Sequence, residues 1–262
     1  EKKHNFEAMQ LTFLGTGTSQ GVPVIGCLCP ICQSSNPKDA RLRSSVMLEW
    51  DDFRFVIDTG PDFRQQMLRE KIRTLDGVVF THEHKDHVAG LDDIRAFNFM
   101  TQQSMPIYCT TAVEETLKRE FSYAFYNKSY PGVPQMELNN ITERPFQLGN
   151  QTWIPLPVMH AKMPVLGFRI GQLSYITDAN FISEETKEKI KGSDILILNA
   201  LRMEQHISHF TLEEAIEMAQ QLEIPQVYFT HISHQLGLHD EVSKTLPHHM
   251  HLAFDGLKLQ FS

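Results

Sequence analysis

Long apolar runs, abundant cysteine and an excess of positive charge are all missing from this sequence of 262 residues. No apolar run approaches the roughly 18 residues that a membrane-spanning helix needs, so no membrane association is predicted. The start, EKKHNFEAMQ, lacks the apolar stretch of a signal peptide. We expect residues 1–9 to form a flexible N-terminal extension of one domain that spans residues 1–262.

Cysteine and charge narrow the class of protein further. Only four cysteines occur, and three of them fall in GCLCPIC at residues 26–32, which does not resemble a secreted disulfide scaffold. A reducing cytoplasm is the expected location. Acidic side chains outnumber basic ones by 32 to 24, which gives a net charge of −8 with neutral histidines. This balance argues against nucleic-acid or anionic membrane partners, but it does not exclude a small anionic substrate.

Short β-rich runs alternate with helical stretches, without internal repeats. Strands are predicted at residues 11–15, 45–50, 53–58, 77–81, 106–110, 152–158, 167–171, 173–178, 194–200, 226–230 and 257–261. Helices are predicted at residues 61–71, 90–100, 111–125 and 183–192, and after a capping box at Thr211. Early hairpins followed by strand–helix alternation favour two sheets with helices outside. Residues 126–140 are predicted to form an irregular lid or rim loop.

The strongest chemical signal follows the predicted strand 77–81. There, HEHKDH places four candidate metal ligands within six positions: His82, His84, Asp86 and His87. In extended backbone His82 and His84 point the same way, because the side-chain period of a strand is two. Asp86 and His87 come after a turn and can address a second ion. Imidazole and carboxylate are suitable ligands for zinc, manganese or iron, so the motif predicts a metal site.

Three single residues that each terminate an apolar strand supply what a dinuclear centre still lacks: His160, Asp178 and His231. Together with HxHxDH, this order closely resembles the metallo-β-lactamase superfamily from about Gln10 to the C-terminus. The resemblance implies an α/β fold, a four-layer αββα sandwich with the metals at one edge. One ion would bind His82, His84 and His160. The other would bind Asp86, His87 and His231, with Asp178 as a bridge.

Further residues resemble the PhnP group, which contains phosphoribosyl 1,2-cyclic phosphate phosphodiesterases. The matching segments are FLGTGTSQGVP at 13–23, the cysteine cluster, THISHQ at 230–235 and LP…FDG at 246–256. The resemblance implies a hydrolase with two divalent ions, manganese or zinc, a small phosphate-ester substrate and, as a family expectation, a homodimer. Asp58 in VIDTGPD matches an aspartate that orients a ligand histidine. Asp86 is expected to be essential for turnover.

His209 lies immediately before the helix predicted near Thr211, in SHFTLEEA. Its position resembles that of the family histidine proposed as the general acid, which would protonate the leaving alkoxide. The alternative is a solvated histidine near a helix N-terminus.

The cluster of Cys27, Cys29 and Cys32 leaves three interpretations open: a redox site, a disulfide framework with an odd thiol, or a metal site that lacks one ligand. The resemblance implies the third, a structural zinc whose fourth ligand is His234.

Two other functions compete with the phosphodiesterase. A tRNA 3′-processing endonuclease shares the HxHxDH order, but the acidic chain lacks a basic arm. A PqqB-like oxidative or carrier protein shares the glycine-rich start and the cysteine cluster.

Overall fold

The computed structural model describes residues 8–126 and 132–262, in which the strands form two sheets. The strands are β1 (Met9–Gly15), β2 (Ser45–Trp50), β3 (Phe53–Ile57), β4 (Gly77–Val79), β5 (Met105–Cys109), β6 (Met136–Asn140), β7 (Phe146–Leu148), β8 (Gln151–His160), β9 (Met163–Ile170), β10 (Leu173–Ile176), β11 (Phe181–Ile182), β12 (Ile195–Asn199), β13 (Gln226–Thr230), β14 (Met250–Leu252) and β15 (Lys258–Phe261).

The α-helices are short and lie between these strands. They are α1 (Phe63–Arg69), α2 (Lys85–Val88), α3 (Arg95–Thr101), α4 (Thr111–Glu120), α5 (Ser122–Tyr126), α6 (Glu184–Ile190), α7 (Leu212–Gln221) and α8 (His239–Ser243), with 3-10 turns at Pro37–Asp39 and Leu91–Ile94. The capping box predicted at Thr211 is present, because its side chain accepts from the Glu214 N–H and the Glu214 carboxylate returns the contact. Across the described parts of the chain, no helix combines the length and the apolar character needed to cross a bilayer.

Both sheets are mixed. The first has the order β15-β1-β2-β3-β4-β5-β6, and the second has the order β11-β8-β9-β10-β12-β13-β14, with β7 added beside β8. Strands β3 to β6 run parallel in the first sheet, as do β10, β12, β13 and β14 in the second. The carboxyl ends of parallel strands meet at one edge of a sheet, so residues that follow them are brought together.

Three apolar clusters hold four layers together. The central one joins the facing sides of the two sheets around Trp50, Trp153 and Phe168, which are at most 2% exposed. A second cluster packs α6, α7 and α8 on the outer side of one sheet, and a third packs α1, α3 and α4 on the other. The expected αββα sandwich is therefore confirmed. Burial of apolar surface on both faces of each sheet explains why the strands read as nearly continuous apolar runs.

Two boundary predictions need correction. Met9 was expected in a flexible extension, but it begins β1, pairs with Phe261 and is 2% exposed. Ala8 precedes the strand and is exposed, and residues 1–7 of that extension lie outside the described residues. In the predicted irregular loop 126–140, residues 127–131 also lie outside them, and Met136–Asn140 forms β6 instead. Residues 132–135 enter β6 at its amino end, where Gln135 accepts from the Met105 N–H, so this part lies at the edge opposite the strand carboxyl ends.

Trp153 tests the importance of the central layer, because its ring is fully buried against Phe55, Phe146 and Phe168. We expect Trp153→Ala to lower the free energy of unfolding by about 3–5 kcal/mol, through lost burial and the cavity that remains. Urea denaturation measures the loss. Phe181→Ala in the same sheet is the control, since that side chain is 57% exposed, and its effect should stay within about 0.5 kcal/mol. Equal losses would contradict this account of the core.

Candidate metal centre

The predicted ligands lie where strands of both sheets end. Asp58 follows β3, Asp178 follows β10, His231 follows β13, and His160 is the last residue of β8. Asp58, Asp178 and His231 have left-handed backbone conformations, with φ of 64°, 56° and 55°. Such conformations cost energy in residues other than glycine, and they persist only where the surrounding structure enforces them. Here the Asp178 and His231 side chains turn towards each other, and the Asp58 side chain turns towards His87.

The HEHKDH motif follows β4 and supplies the other ligands. His82 and His84 precede α2, and α2 itself carries Asp86 and His87. The backbone of this turn packs against Gly60, where an added Cβ would lie 2.1 Å from the Asp86 carbonyl oxygen. A glycine is therefore required in VIDTGPD for the motif to approach β3.

Asp178 is at the centre of the cluster. Its Oδ2 lies 3.4 Å from His87 Nε2, 3.7 Å from His82 Nε2 and 3.3 Å from His209 Nε2, and its Oδ1 lies 3.0 Å from His231 Nδ1. Three groups of donor atoms lie within 4.8 Å of one another, and each contains Asp178: Asp86–His87–Asp178–His231, His82–His84–Asp178 and His160–Asp178–His209. The structure thus brings together every residue of the predicted dinuclear set.

His160 differs in one detail from the predicted grouping. Its donor atom groups with Asp178 and His209, whereas the sequence interpretation placed it with His82 and His84. The rings of His84 and His160 are nevertheless neighbours, with centroids 5.1 Å apart. His160 Nδ1 donates to the Ser208 carbonyl oxygen at 2.8 Å, which leaves Nε2 as the nitrogen available for a ligand.

Two buried ring nitrogens indicate whether a cation fits between the clustered side chains. His82 Nε2 and His87 Nε2 have no hydrogen-bond partner among the described residues, although both rings are fully buried. Their other nitrogens are engaged, His82 Nδ1 with Thr81 Oγ1 at 2.9 Å and His87 Nδ1 with Asp58 at 2.7 Å. A buried polar atom without a partner is costly. Coordination of a divalent cation between these nitrogens and the carboxylates would satisfy them, so the donor set fits a metal.

Asp58 is positioned to orient one of these rings. Its carboxylate is completely buried and accepts from the Thr81 N–H at 2.9 Å, from Thr81 Oγ1 at 2.8 Å and from His87 Nδ1 at 2.7 Å. Burial raises the pKa of Asp58 above its ordinary value, and the contact with His87 opposes that rise. With Nδ1 fixed in this way, His87 Nε2 points at Asp86 and Asp178.

The charges of the cluster depend on one another. Burial by itself lowers the pKa of His87, but Asp178, Asp86 and Asp58 raise it well above the ordinary value. Burial raises the pKa of Asp178, yet His231 and His87 hold it well below its usual range. His82 shows the opposite balance, since burial and the nearby His87 lower its pKa. The anionic carboxylates therefore need positive charge beside them, which either an imidazolium or a bound cation can provide.

His209 belongs to this cluster and is not a solvated residue near a helix end. It is 8% exposed, and its ring stacks on His231 with centroids 4.9 Å apart. Its Nδ1 lies 3.1 Å from both Ser208 Oγ and His206 Nδ1, so His206, which the sequence suggests only as a surface residue, is a direct neighbour. Burial lowers the pKa of His209, and the hydrogen bond to Asp178 opposes this.

Two hydroxyl groups around His231 were also missed. Ser44 Oγ lies 3.1 Å from His231 Nδ1, and Thr18 Oγ1 lies 3.2 Å from His231 Nε2. Thr18 is part of GTGTSQG, whose glycines predict a turn at the end of the first strand, beside the metals, but give no role to this hydroxyl. The backbone of Thr18 also donates to the Ile232 carbonyl oxygen. The hydroxyl residues of this glycine-rich turn were the available signal in the sequence. In the structure, Thr18 joins the end of β1 to the end of β13 through its contacts with His231 and Ile232.

The cysteine cluster meets the predicted fourth ligand. Cys27 Sγ, Cys29 Sγ and Cys32 Sγ lie 3.4, 3.3 and 3.5 Å from His234 Nδ1. Zinc–sulfur and zinc–nitrogen bonds at a tetrahedral angle give a sulfur–nitrogen separation of about 3.5 Å, so these four atoms could hold zinc. The Cys32 N–H and the imidazole of His234 lower the pKa of the Cys29 thiol to about 6. Cys109 is buried in β5, apart from this cluster.

Comparison with known proteins agrees with this geometry. The family model for the β-lactamase superfamily domain matches residues 53–232. A crystal structure described as a new diphosphatase from the PhnP family is 43% identical, covers 97% of each chain and superposes with a TM-score of 0.91. Zinc-bound PqqB from Methylobacterium extorquens is 20% identical over 96% of this chain and all of its own, with a TM-score of 0.80, which shows a shared fold.

One relative is considerably longer than this chain. An octanoyltransferase of Porphyromonas gingivalis is 39% identical over 253 residues, which are 95% of this chain and 51% of that protein. The chain therefore spans about half the length of that relative.

Asp58→Asn tests the orientation of His87. The amide keeps the shape but removes the buried negative charge and can present N–H where His87 Nδ1–H points, so we expect metal affinity to fall about 10–100-fold. Calorimetric titration of the metal-free protein with zinc or manganese measures this. Asp52→Asn, on the exposed turn between β2 and β3, is the matched control and should change nothing. Unchanged affinity in Asp58→Asn would show that the carboxylate does not orient a ligand.

Proposed function

The chain belongs to the β-lactamase superfamily and, within it, to the PhnP family, and we propose that it hydrolyses a small phosphate diester. Its fold is that of a family of metal-dependent hydrolases, and its clustered donor residues could hold metal ions. The observation that carries the proposal is the convergence of Asp86, Asp178 and five histidines on one point, with His209 beside Asp178.

We propose two divalent ions, zinc or manganese, at this centre. His82, His84 and His160 would hold one ion, Asp86, His87 and His231 the other, and Asp178 would contact both. When bound, such ions lower the pKa of water and supply positive charge towards phosphoryl oxygens, which suits an anionic diester despite the net charge of −8. Asp58 would keep His87 in the tautomer whose Nε2 is free.

The chain's own acid in this reaction would be His209. Hydrolysis adds water to phosphorus and breaks one P–O bond, and the departing alkoxide must gain a proton. His209 Nε2 is close to Asp178, whereas its Nδ1 is held by Ser208 and His206, so Nε2 is the atom that can donate. A bound phosphate adds negative charge beside the ring, which opposes the lowering of the His209 pKa by burial.

Hydrolysis of a small diester is favoured over the two competing functions, tRNA processing and a PqqB-like oxidative or carrier role. The chain is acidic overall, with 24 basic against 32 acidic side chains, so a tRNA-sized polyanion would be repelled outside the immediate centre. The identity to PqqB is 20%, against 43% for the PhnP-family diphosphatase, which leaves the oxidative or carrier role with less support. A cyclic phosphoribosyl or nucleotide-like diester remains the proposed substrate class. The homodimer remains a family expectation.

We further propose a structural zinc bound by Cys27, Cys29, Cys32 and His234. It would join the 27–32 loop to a histidine three residues beyond His231, and so would fix the segment that presents this ligand. The need for reduced thiols supports a cytoplasmic location.

The function and the separation of the two kinds of site can be tested together. Protein loaded with manganese or zinc should hydrolyse bis-p-nitrophenyl phosphate or a 2′,3′-cyclic nucleotide. Asp86→Ala should abolish turnover and retain one tightly held zinc per chain, whereas His234→Ala should lose that zinc, as measured by elemental analysis. If no divalent metal supports turnover, the phosphodiesterase proposal is wrong. Loss of the retained zinc from Asp86→Ala would mean that the sites are not separate.

His209→Asn tests the proposed acid through its dependence on the leaving group. We expect kcat to fall about 10²–10⁴-fold for a 2′,3′-cyclic nucleotide, whose ribose alkoxide needs a proton. The effect on bis-p-nitrophenyl phosphate should be below about 10-fold, since p-nitrophenolate leaves without one. His248→Asn is the control, since His248 is exposed in the segment before β14, and it should show no such split. Equal losses on both substrates, together with reduced metal content, would instead make His209 a ligand.

A further inference from the structure

A second concave feature lies at the same edge of the fold as the metal centre. It is a cavity of about 610 Å³ that we call the rim cavity, lined by residues 110–112, 140–144 and 163–166 together with Thr81, Glu83 and Pro157. Because β4, β5 and β6 run parallel, the residues that follow them lie side by side along one edge. Thr81 follows β4, Thr110 follows β5 and Ile141 follows β6.

Direct contacts connect the rim cavity to the metal centre. Thr81 and Glu83 flank His82 in the chain, and Thr81 also holds the Asp58 carboxylate. On the facing sheet, Met163 of the cavity pairs with His160 across the β8–β9 hairpin. The Leu166 N–H donates to the Thr81 carbonyl oxygen, which joins the cavity floor to the ligand-bearing loop. The rim cavity therefore adjoins the segments that carry His82 and His160.

The chemistry of the lining selects among possible substrate groups. Ile141, Val165 and Leu166 are buried and aliphatic. The charged lining residues Glu83, Glu143 and Arg144 are at least partly exposed, which places them towards the mouth. Among the described residues that line the cavity, none is aromatic, so no ring is available to stack on a nucleobase. The volume lies within the range of about 300–1,000 Å³ typical of small-molecule sites.

We propose that the rim cavity binds an uncharged aliphatic group of the substrate, an alkyl or acyl chain attached to the phosphate ester. This inference rests on the proposed phosphodiesterase function and changes one part of its substrate class, because it places an aliphatic group where a nucleotide-like diester would carry a base. The phosphate would lie at the metal centre. The alkyl or acyl group of the substrate would extend past His84 and His160 onto Ile141, Val165 and Leu166. Burial of this alkyl or acyl group would increase the affinity for the substrate, while the metal centre would bind only the phosphate.

Binding of short alkyl phosphates to the metal-loaded protein tests the inference by calorimetry. We expect hexyl phosphate to bind at least about 30-fold tighter than methyl phosphate, because each buried methylene contributes up to about 4-fold. Ala112→Trp should fill the cavity from an exposed position on the first turn of α4 and reduce this ratio below about 3-fold. Glu115→Trp is the matched control, since Glu115 is exposed on the same helix but does not line the cavity, and it should keep the full ratio.

The outcomes separate this inference from the proposed function. Equal binding of the two alkyl phosphates, or a ratio that survives Ala112→Trp, would overturn the rim cavity as an aliphatic site. Tighter binding of adenosine monophosphate than of hexyl phosphate, lost in Ala112→Trp, would replace the aliphatic group by a nucleoside. Turnover of bis-p-nitrophenyl phosphate reports on the phosphodiesterase separately. If that turnover is absent while the hexyl preference is present, the proposed function fails and the binding site stands.

Discussion

This structure is organised around the contact of one buried carboxylate, Asp178, with imidazoles from three distant parts of the chain. His87 follows a strand of the first sheet, His231 follows a strand of the second, and His209 precedes α7. A buried charge of this kind is tolerated only if compensating groups surround it. The two sheets must therefore meet in one register at this edge, which links the integrity of the fold to the geometry of the centre.

The supporting contacts show how that arrangement is maintained. Strained backbone at Asp58, Asp178 and His231 is enforced by strands that are buried on both faces. Hydrogen bonds fix the nitrogen that each ring presents, as Asp58 does for His87 and the Ser208 carbonyl oxygen does for His160. The loop that carries Cys27, Cys29 and Cys32 contacts the metal centre only indirectly. It meets His234, which lies three residues beyond the candidate ligand His231. A rigid scaffold with ligands on short loops is the usual way to hold reactive groups in position.

Under the two proposals, the metal centre would bind the phosphate and the rim cavity would bind an aliphatic group of the substrate. The centre is lined by carboxylates and imidazoles, whereas the buried lining of the cavity beside it includes the aliphatic side chains of Ile141, Val165 and Leu166. An acidic protein can thus attract a phosphate at one point while its remaining surface repels polyanions. Under the proposed function, the reaction would be set by the ligands shared across the family, and the choice of substrate by residues 110–112, 140–144 and 163–166.

Local patterns in the sequence predicted much of the fold and nearly all of the candidate ligands. The β2 and β13 boundaries matched the predicted runs, because apolar β-rich segments between turns are a local signal. HxHxDH was visible since four ligands lie within six positions. The strands β6, β7, β11 and β14 were missed, as they are short and depend on pairing with a neighbour. Only the tertiary structure decided that His209 is buried against Asp178, that Ser44 and Thr18 contact His231, and that a cavity lies beside the segments that carry His82 and His160. These features arise from segments far apart in the chain, whose proximity is set by the packing of the two sheets and leaves no local trace in the sequence.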